Sequence, residues 1–575
     1  MVELSQLPPE VLEILFSFLD SKSVLKISET CSKFNDILIQ SDRLTKKLIL
    51  ILRYPLDLKG LSDSIFRSKR RYRAMVIIKS REGRNECEST RSNRLLKKLG
   101  EMVHDLKIDW REALRPREAS LFELMVRRRG SAFARVRGAG QVEHPDDAVA
   151  AQALANVRED IYMEFVHIIK FFSNVKKLSL LNVHLEKGRQ PNDPELSYPH
   201  LTNFFVRQCD SFCFELLTSC TNLEKLNVSD PFWNSRSPGV DTFEAFLVSQ
   251  NVLKDLVLKN FTYPRLFQVD RTANIAFRLN SLVLKQVYFA DKEIADKFFR
   301  TQNELKMIDF QLHNEKVRCL DELMWYNKIL KTIVTNNSHL HTIHMSKNRY
   351  KLENCDFIAN VVNPFVRKLT FNVTAEDKSS DLFKIFIRMF PNLETVDFKA
   401  EESEETDSGV CFDEGTVLEH VEDLKIANSS VRSLVNVYAG ALKSFEYVPG
   451  KTGEFIDDLF GRFFHRHRMI RHLAIGNNAE CSYFFVSYNL CELIVSFLSH
   501  LESITIYNFA EVNKSVKLLC NLRKLKSLTL STENYQQFTA KTKVECARSN
   551  LKLISVSIPS APTNPTNAYG CVILI

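Results

Sequence analysis

The residues of this chain best suited to chemistry are few and poorly spaced for it. His465-Arg466-His467-Arg468 places two imidazoles two positions apart, as a metal site or a proton relay would want. Alternate residues point to opposite faces of a strand and splay at a helix end, so the run reads instead as a solvated basic turn. Cys209, Cys213 and Cys220 cluster without the paired CxxC spacing of a tetrahedral zinc site, and read as small buried apolar residues. No GxSxG, HExxH, GxxxxGK[ST] or GxGxxG is present. Nucleophile, base and oxyanion donors cannot be assembled into one pocket from what remains. No catalytic residue, metal ligand or cofactor is assigned, and the chemistry expected is that of binding.

Binding side chains need elements to hold them. A six-residue pattern, LxxLxL with aliphatic or aromatic exchanges, recurs fifteen times between Val175 and Val556 at intervals of 21 to 35 residues. VKKLSL at Val175, LEKLNV at Leu223, LKMIDF at Leu305, LETVDF at Leu393 and LESITI at Leu501 are examples. The fourth and sixth positions are apolar while the fifth is free. That is the alternation of a short strand with one buried face. Between the hexads lie helical stretches such as DTFEAFLVSQN, in which Phe243, Phe246 and Leu247 recur at helical spacing. Strand, crossover, strand in constant order gives parallel strands. A unit of this size cannot bury its apolar face alone and must stack on its neighbours. Two further units are expected before the fifteen, at Tyr72, Met75 and Ile77 and at Val103, Leu106 and Ile108.

The units resemble leucine-rich repeats of the longer, irregular kind. The resemblance implies an α/β leucine-rich-repeat solenoid, a horseshoe with parallel inner strands and outer helices. The asparagine that often follows the strand is patchy: Asn182 fits, Asn260 and Asn508 roughly fit, and most units lack it. The fifth residue of each hexad points away from the core. Among these, Phe205, Asn227, Val257, Val283, Asp309, His344, Thr370, Asp397, Lys425 and Glu446 form the expected substrate-binding stretch, apolar at one end and charged in the middle.

Residues 1–52 read differently. Ser5 precedes Pro8-Pro9-Glu10, and proline suits a helix's first turn. Val11, Leu12, Leu15, Phe18 and Leu19 follow at helical spacing until Asp20 and Ser21. A second amphipathic stretch carries Val24, Leu25 and Ile27, and a third carries Phe34, Ile37 and Leu38. Leu7-Pro8-Pro9-Glu10-Val11-Leu12, the apolar run to Leu19, and Cys31 with Phe34 resemble the F-box, a small all-α three-helix module. Phe34 and Thr45 stand where that family commonly has tryptophan. The resemblance implies a Skp-type adaptor as partner, bound by Leu7, Pro8, Val11 and Leu15, and through it a cullin–RING (SCF) ubiquitin ligase. It further implies an unidentified protein target on the repeats. The alternative is a leucine-rich scaffold whose N-terminal helices cap the solenoid or bind a partner outside any ligase.

The expected organisation is therefore a helical module over 1–52, a basic flank with the first two repeats over 53–110, an atypical segment over 111–158, the solenoid over 159–560 and a tail over 561–575. The atypical segment has nine arginines, ten alanines and no lysine, and is either an inserted loop or a gene-model artefact. The net charge is +8. It concentrates between Arg53 and Arg137, where 23 basic face 11 acidic side chains. That block, with SKRRYR at Ser68 and VRRRG at Val126, lacks the interleaved aromatics of a single-strand groove, so nucleic acid is not expected. The acidic run Glu401 to Asp407 reads as a hydrated loop. No signal peptide, membrane span or disulfide framework is read from the sequence, and the thirteen cysteines are expected to be reduced thiols of a cytoplasmic or nuclear protein.

Overall fold

The structure, a computed structural model, describes residues 4–54, 72–79, 90–110, 162–185, 196–231, 239–267, 270–311, 320–345, 361–373, 379–400, 412, 414–429, 434–449, 457–476, 486–507, 511–531, 553–557 and 571–573. Calls on the Arg/Ala-rich segment 111–158, on VRRRG and on the acidic run 401–407 lie outside the described residues.

The chain begins with four short helices: α1 (Pro9–Ser17), α2 (Ser21–Ser28), α3 (Ser32–Gln40) and α4 (Asp42–Thr45). Proline at the first turn starts α1. The Lys47 ammonium donates to the Ser17 and Leu19 carbonyls at its far end, satisfying acceptors the helix leaves open. Asp20 caps α2 by accepting the Ser23 N–H at 2.7 Å, and Ser41 caps α4 by accepting that of Leu44 at 3.1 Å. Leu12, Phe16, Val24, Phe34, Ile37, Leu38, Leu44 and Leu48 form the module's core. Phe34 meets Phe16 edge to face at 5.3 Å, so the phenylalanine supplies the aromatic packing expected at that position.

Contacts divide the chain into two units, one of Met1–Leu279 with Gln286–Lys297 and one of Asn280–Lys285 with Phe298–Ile575. The first continues from the helical module into strands β1 (Ile49–Tyr54), β2 (Ala74–Lys79), β3 (Asp105–Asp109), β4 (Lys177–Leu181), β5 (Asn203–Arg207), β6 (Lys225–Ser229) and β7 (Asp255–Leu266). Each is parallel to the next in chain order. The helical module was expected to run to residue 52, yet Ile49–Tyr54 is a strand. Leu48 and Leu52 point inward while Ile49 and Ile51 point out, a period of two hidden in an unbroken aliphatic run. Gly100 on helix α5 (Thr90–Met102) allows the closest packing here. A Cβ at that position would stand 1.8 Å from the Phe171 carbonyl oxygen.

Asn182, Gln208, Asp230, Asn260 and Gln286 have left-handed backbones, with φ between 50° and 61°. Each stands seven residues after a hexad begins. The N–H groups of Asn182, Gln208 and Asp230 reach carbonyls of the following strand, at Arg207, Ser229 and Lys259, over 2.9 to 3.0 Å. The turn that looked patchy in sequence is thus made repeatedly, by glutamine and aspartate as well as asparagine.

In the second unit the first half of β8 (Ser281–Phe289) is followed by β9 (Met307–Gln311), β10 (Thr342–Met345), β11 (Lys368–Val373) and β12 (Thr395–Ala400). Then come β13 (Thr416–Val417), β14 (Asp423–Ser429), β15 (Val437–Tyr438), β16 (Ser444–Pro449), β17 (His472–Ile475), β18 (Ser503–Tyr507), β19 (Ser527–Ser531) and β20 (Leu553–Ser557). Except for β13 and β15, which pair with each other, these strands again run parallel in chain order. The last, β21 (Cys571–Ile573), is antiparallel to β20. Helices pack on the buried strand face: Phe371 of β11 lies 5.0 Å from Phe386 of the helix Ser379–Met389 and 4.4 Å from Phe398 of β12. All fifteen hexads are strands, and the chain folds as a leucine-rich-repeat solenoid behind a helical module.

A polar device recurs three residues before the hexad. Gln250 donates to the Cys220 carbonyl at 2.9 Å. Asn337 donates to the Gln302 and Ile333 carbonyls and accepts the Leu305 N–H at 2.7 Å, and Asn363 donates to the Val334 and Asn337 carbonyls. These buried amides tie the end of one repeat's helix to the turn of the next. Each repeat therefore satisfies its neighbour's orphan backbone groups. Asn337→Ala removes three such bonds at a site with no solvent access, and is expected to cost about 3 kcal/mol. Denaturant unfolding of the two chains side by side measures it.

Candidate functional site

Two surfaces hold the residues singled out in sequence. On α1, Leu12 and Phe16 face the module core. The opposite face carries Val11, Ile14, Leu15 and Phe18, joined by Leu4 from the preceding turn; all five are exposed, and Phe18 is 80% so. Of the four expected adaptor contacts, Val11 and Leu15 lie on this stripe and Pro8 is exposed at its start. Leu7 is half-buried and packs on the module core. Leu4, Ile14 and Phe18 are the stripe's missed members. The sequence of α1 is apolar nearly all round, so which face stays open is decided only when α3 covers Leu12 and Phe16.

The second surface is the outward strand face. In the first unit the register aligns Ser179, Phe205, Asn227 and Val257 across β4 to β7. All four are half-buried, and Arg207 and Lys225, beside Phe205 and Asn227, are engaged with Asp230 at 3.4 Å and Asp255 at 2.5 Å. In the second unit the register aligns Val283, Asp309, His344, Thr370, Asp397, Lys425 and Glu446 from β8 to β16. Val283 is a correction to the expected row, being only 8% exposed. Lys285, two residues on, reaches diagonally to Asp309, the register partner of Val283, at 2.8 Å.

The charged part of this second row is largely self-neutralised. Lys285 pairs with Asp309, and Lys425 with Glu446 at 2.7 Å. Burial works against the Lys425 charge, but the hydrogen bond to Glu446 together with the charges of Glu446 and Asp397 outweighs it and raises its pKa. Between the two bridges lie His344, Thr370 and Asp397. Burial pulls the His344 pKa down, with Asp309 opposing, and pushes the Asp397 carboxyl up, with Lys425 opposing. Burial thus disfavours the charged form of both side chains. Such a row can dock a protein surface; among the described residues no three His, Cys, Asp or Glu side chains converge as a metal site requires.

Residues 4–51 match the model of the F-box-like family. The N-terminal module is an F-box-like domain. No match was found among curated proteins. Solved structures similar to the chain include the leucine-rich-repeat-containing protein LegL7 of Legionella pneumophila, 13% identical over 52% of this chain and 90% of that one, with a TM-score of 0.34. They also include the internalin InlF of Listeria monocytogenes, 13% identical over 63% and 76%, at a TM-score of 0.25. The functional domain of InlJ from Listeria monocytogenes is 14% identical over 64% and 71%, at 0.26. Among the described residues, no helix is long and apolar enough to cross a membrane.

The remaining sequence candidates are structural. Cys209, Cys213 and Cys220 are buried free thiols, and burial raises Cys220 to about 11. The run at His465 is only partly the solvated turn expected of it: His467 is buried. Its Nε2 accepts the Ala439 N–H at 3.0 Å, and its Nδ1 donates to the Phe463 carbonyl at 2.8 Å. It stands three residues before its hexad and replaces the amide of other repeats.

Burial lowers the His467 pKa. The unfolded chain therefore binds its proton first, and the stability from neutral His467 is complete above about pH 6.5 and declines as pH falls below it. His467→Leu should lose about 2 kcal/mol at pH 7.5, from the unpaired Ala439 N–H, and show a flatter stability profile from pH 7 to 5 than the parent. Denaturant midpoints of both chains across that range check it.

Proposed function

We propose that the chain is the substrate-recognition subunit of an SCF-type ubiquitin ligase. The observation that carries this reading is the α1 stripe. Five exposed apolar side chains on one face of an F-box-like domain form a surface that water does not favour and a partner would cover. That partner is a Skp-type adaptor, and through it a cullin–RING ligase. The repeat face, with Phe205, Asn227 and Val257 in one unit and Asp309 to Glu446 in the other, takes the target protein. The chain makes no bonds itself. It raises the effective concentration of a target near the ubiquitin-loaded enzyme.

One observation favours the scaffold reading. Leu48 lies in the module core and Tyr72 packs against it, so the helices do cap the first strands. A cap, however, gives no reason for an apolar stripe left open to solvent.

Val11→Asp with Phe18→Asp is expected to abolish co-purification of the full chain with the Skp-type adaptor. Both positions are exposed, so the unfolding free energy should move by no more than about 0.5 kcal/mol. Undiminished adaptor binding by this folded variant would remove the ligase reading and leave the scaffold.

A further inference from the structure

We propose that the surface receiving the adaptor continues from α1 onto the strand face of β1 and β2, so that one partner spans the helical module and the first repeat. The inference rests on the adaptor reading above and extends it to residues outside the helices. Ile49 and Ile51 of β1 are 52% and 60% exposed, on the edge strand of the first unit's sheet. In register beside them on β2 stand Ala74 and Val76, with Ile78 next, all half-buried. On β3 the same three rows carry Asp105, Lys107 and Asp109, so the aliphatic patch ends there.

Three observations make the adaptor its occupant. First, the patch adjoins α1: the Lys47 ammonium holds the Ser17 and Leu19 carbonyls on either side of Phe18, and Ser21 donates to the Lys47 carbonyl at 2.7 Å, two residues before Ile49. Second, α1 alone is small. Nine residues make a stripe about 14 Å long, and a stable interface takes about 800 Å² from each partner. Third, module and strands are one packed body, since Leu48 lies in the module core and Tyr72 packs against it. A partner that covers both would fix the direction in which the repeats leave the adaptor, and so where a target is held.

The test uses the full chain and purified adaptor in calorimetric titration. Ile49→Glu with Ile51→Glu should weaken binding about tenfold, and Ile49→Thr with Ile51→Thr, which keeps strand preference, should weaken it by less. Hydrogen exchange at residues 49–54 should slow on adding adaptor. Unchanged affinity in both double variants, with binding still abolished by the Val11 and Phe18 substitutions, overturns this inference alone. Binding that survives the Val11 and Phe18 substitutions removes the adaptor reading and this inference with it. A parent chain that is dimeric by light scattering, and made monomeric by Ile49→Glu with Ile51→Glu at unchanged adaptor affinity, assigns the patch to a second copy and overturns it too.

Discussion

The parallel register is the constraint from which the rest follows. Each strand bonds the next residue for residue, so the buried side chains of successive repeats fall into layers, Leu178 beside Phe204 beside Leu226 in one unit and Val396 beside Leu424 beside Phe445 in the other. A slip by one position would turn every such layer to water. Buried amides at Gln250, Asn337 and Asn363, and the imidazole of His467, hold the turns that feed these strands. They exert the same control as the apolar layers by another means, because an unmatched backbone group inside the protein is costly.

The layering has a consequence for function. If the inward residues are in register, so are the outward ones, and a row of side chains appears on the open face without any local cause. In the second unit that row is nearly neutral, because Lys285 answers Asp309 and Lys425 answers Glu446. Half-buried pairs of this sort contribute little net stability, but they leave His344, Thr370 and Asp397 as the part of the row not committed to a bridge. The face of α1 is the opposite case, apolar and exposed. One surface suits selection among charged and polar partners; the other suits tenacious binding to one apolar partner.

Particular residues show what was legible. The hexads were, because alternation over four to six positions has one reading once it recurs at a steady period. Strand β1 was not, since Leu48 to Leu52 is aliphatic throughout and carries no visible alternation. The turn at 182, 208, 230, 260 and 286 was half legible, because the left-handed region accepts asparagine most readily but admits glutamine and aspartate when the strand bond rewards it. Val283 and His467 were misjudged for a shared reason: burial of a single side chain depends on what packs around it, and its own position in the repeat pattern does not give that.

The sequence by itself determined the strands of the hexads, their parallel order and the presence of an F-box-like head, since each rests on periodic or contiguous residues whose meaning is local. Only the tertiary structure decided which face of α1 stays open, that Leu7 leans inward while Phe18 does not, and which charges on the strand face find partners. Those outcomes depend on contacts between segments about 20 residues apart or more, such as Phe16 with Phe34 or Lys285 with Asp309, and no local pattern encodes them.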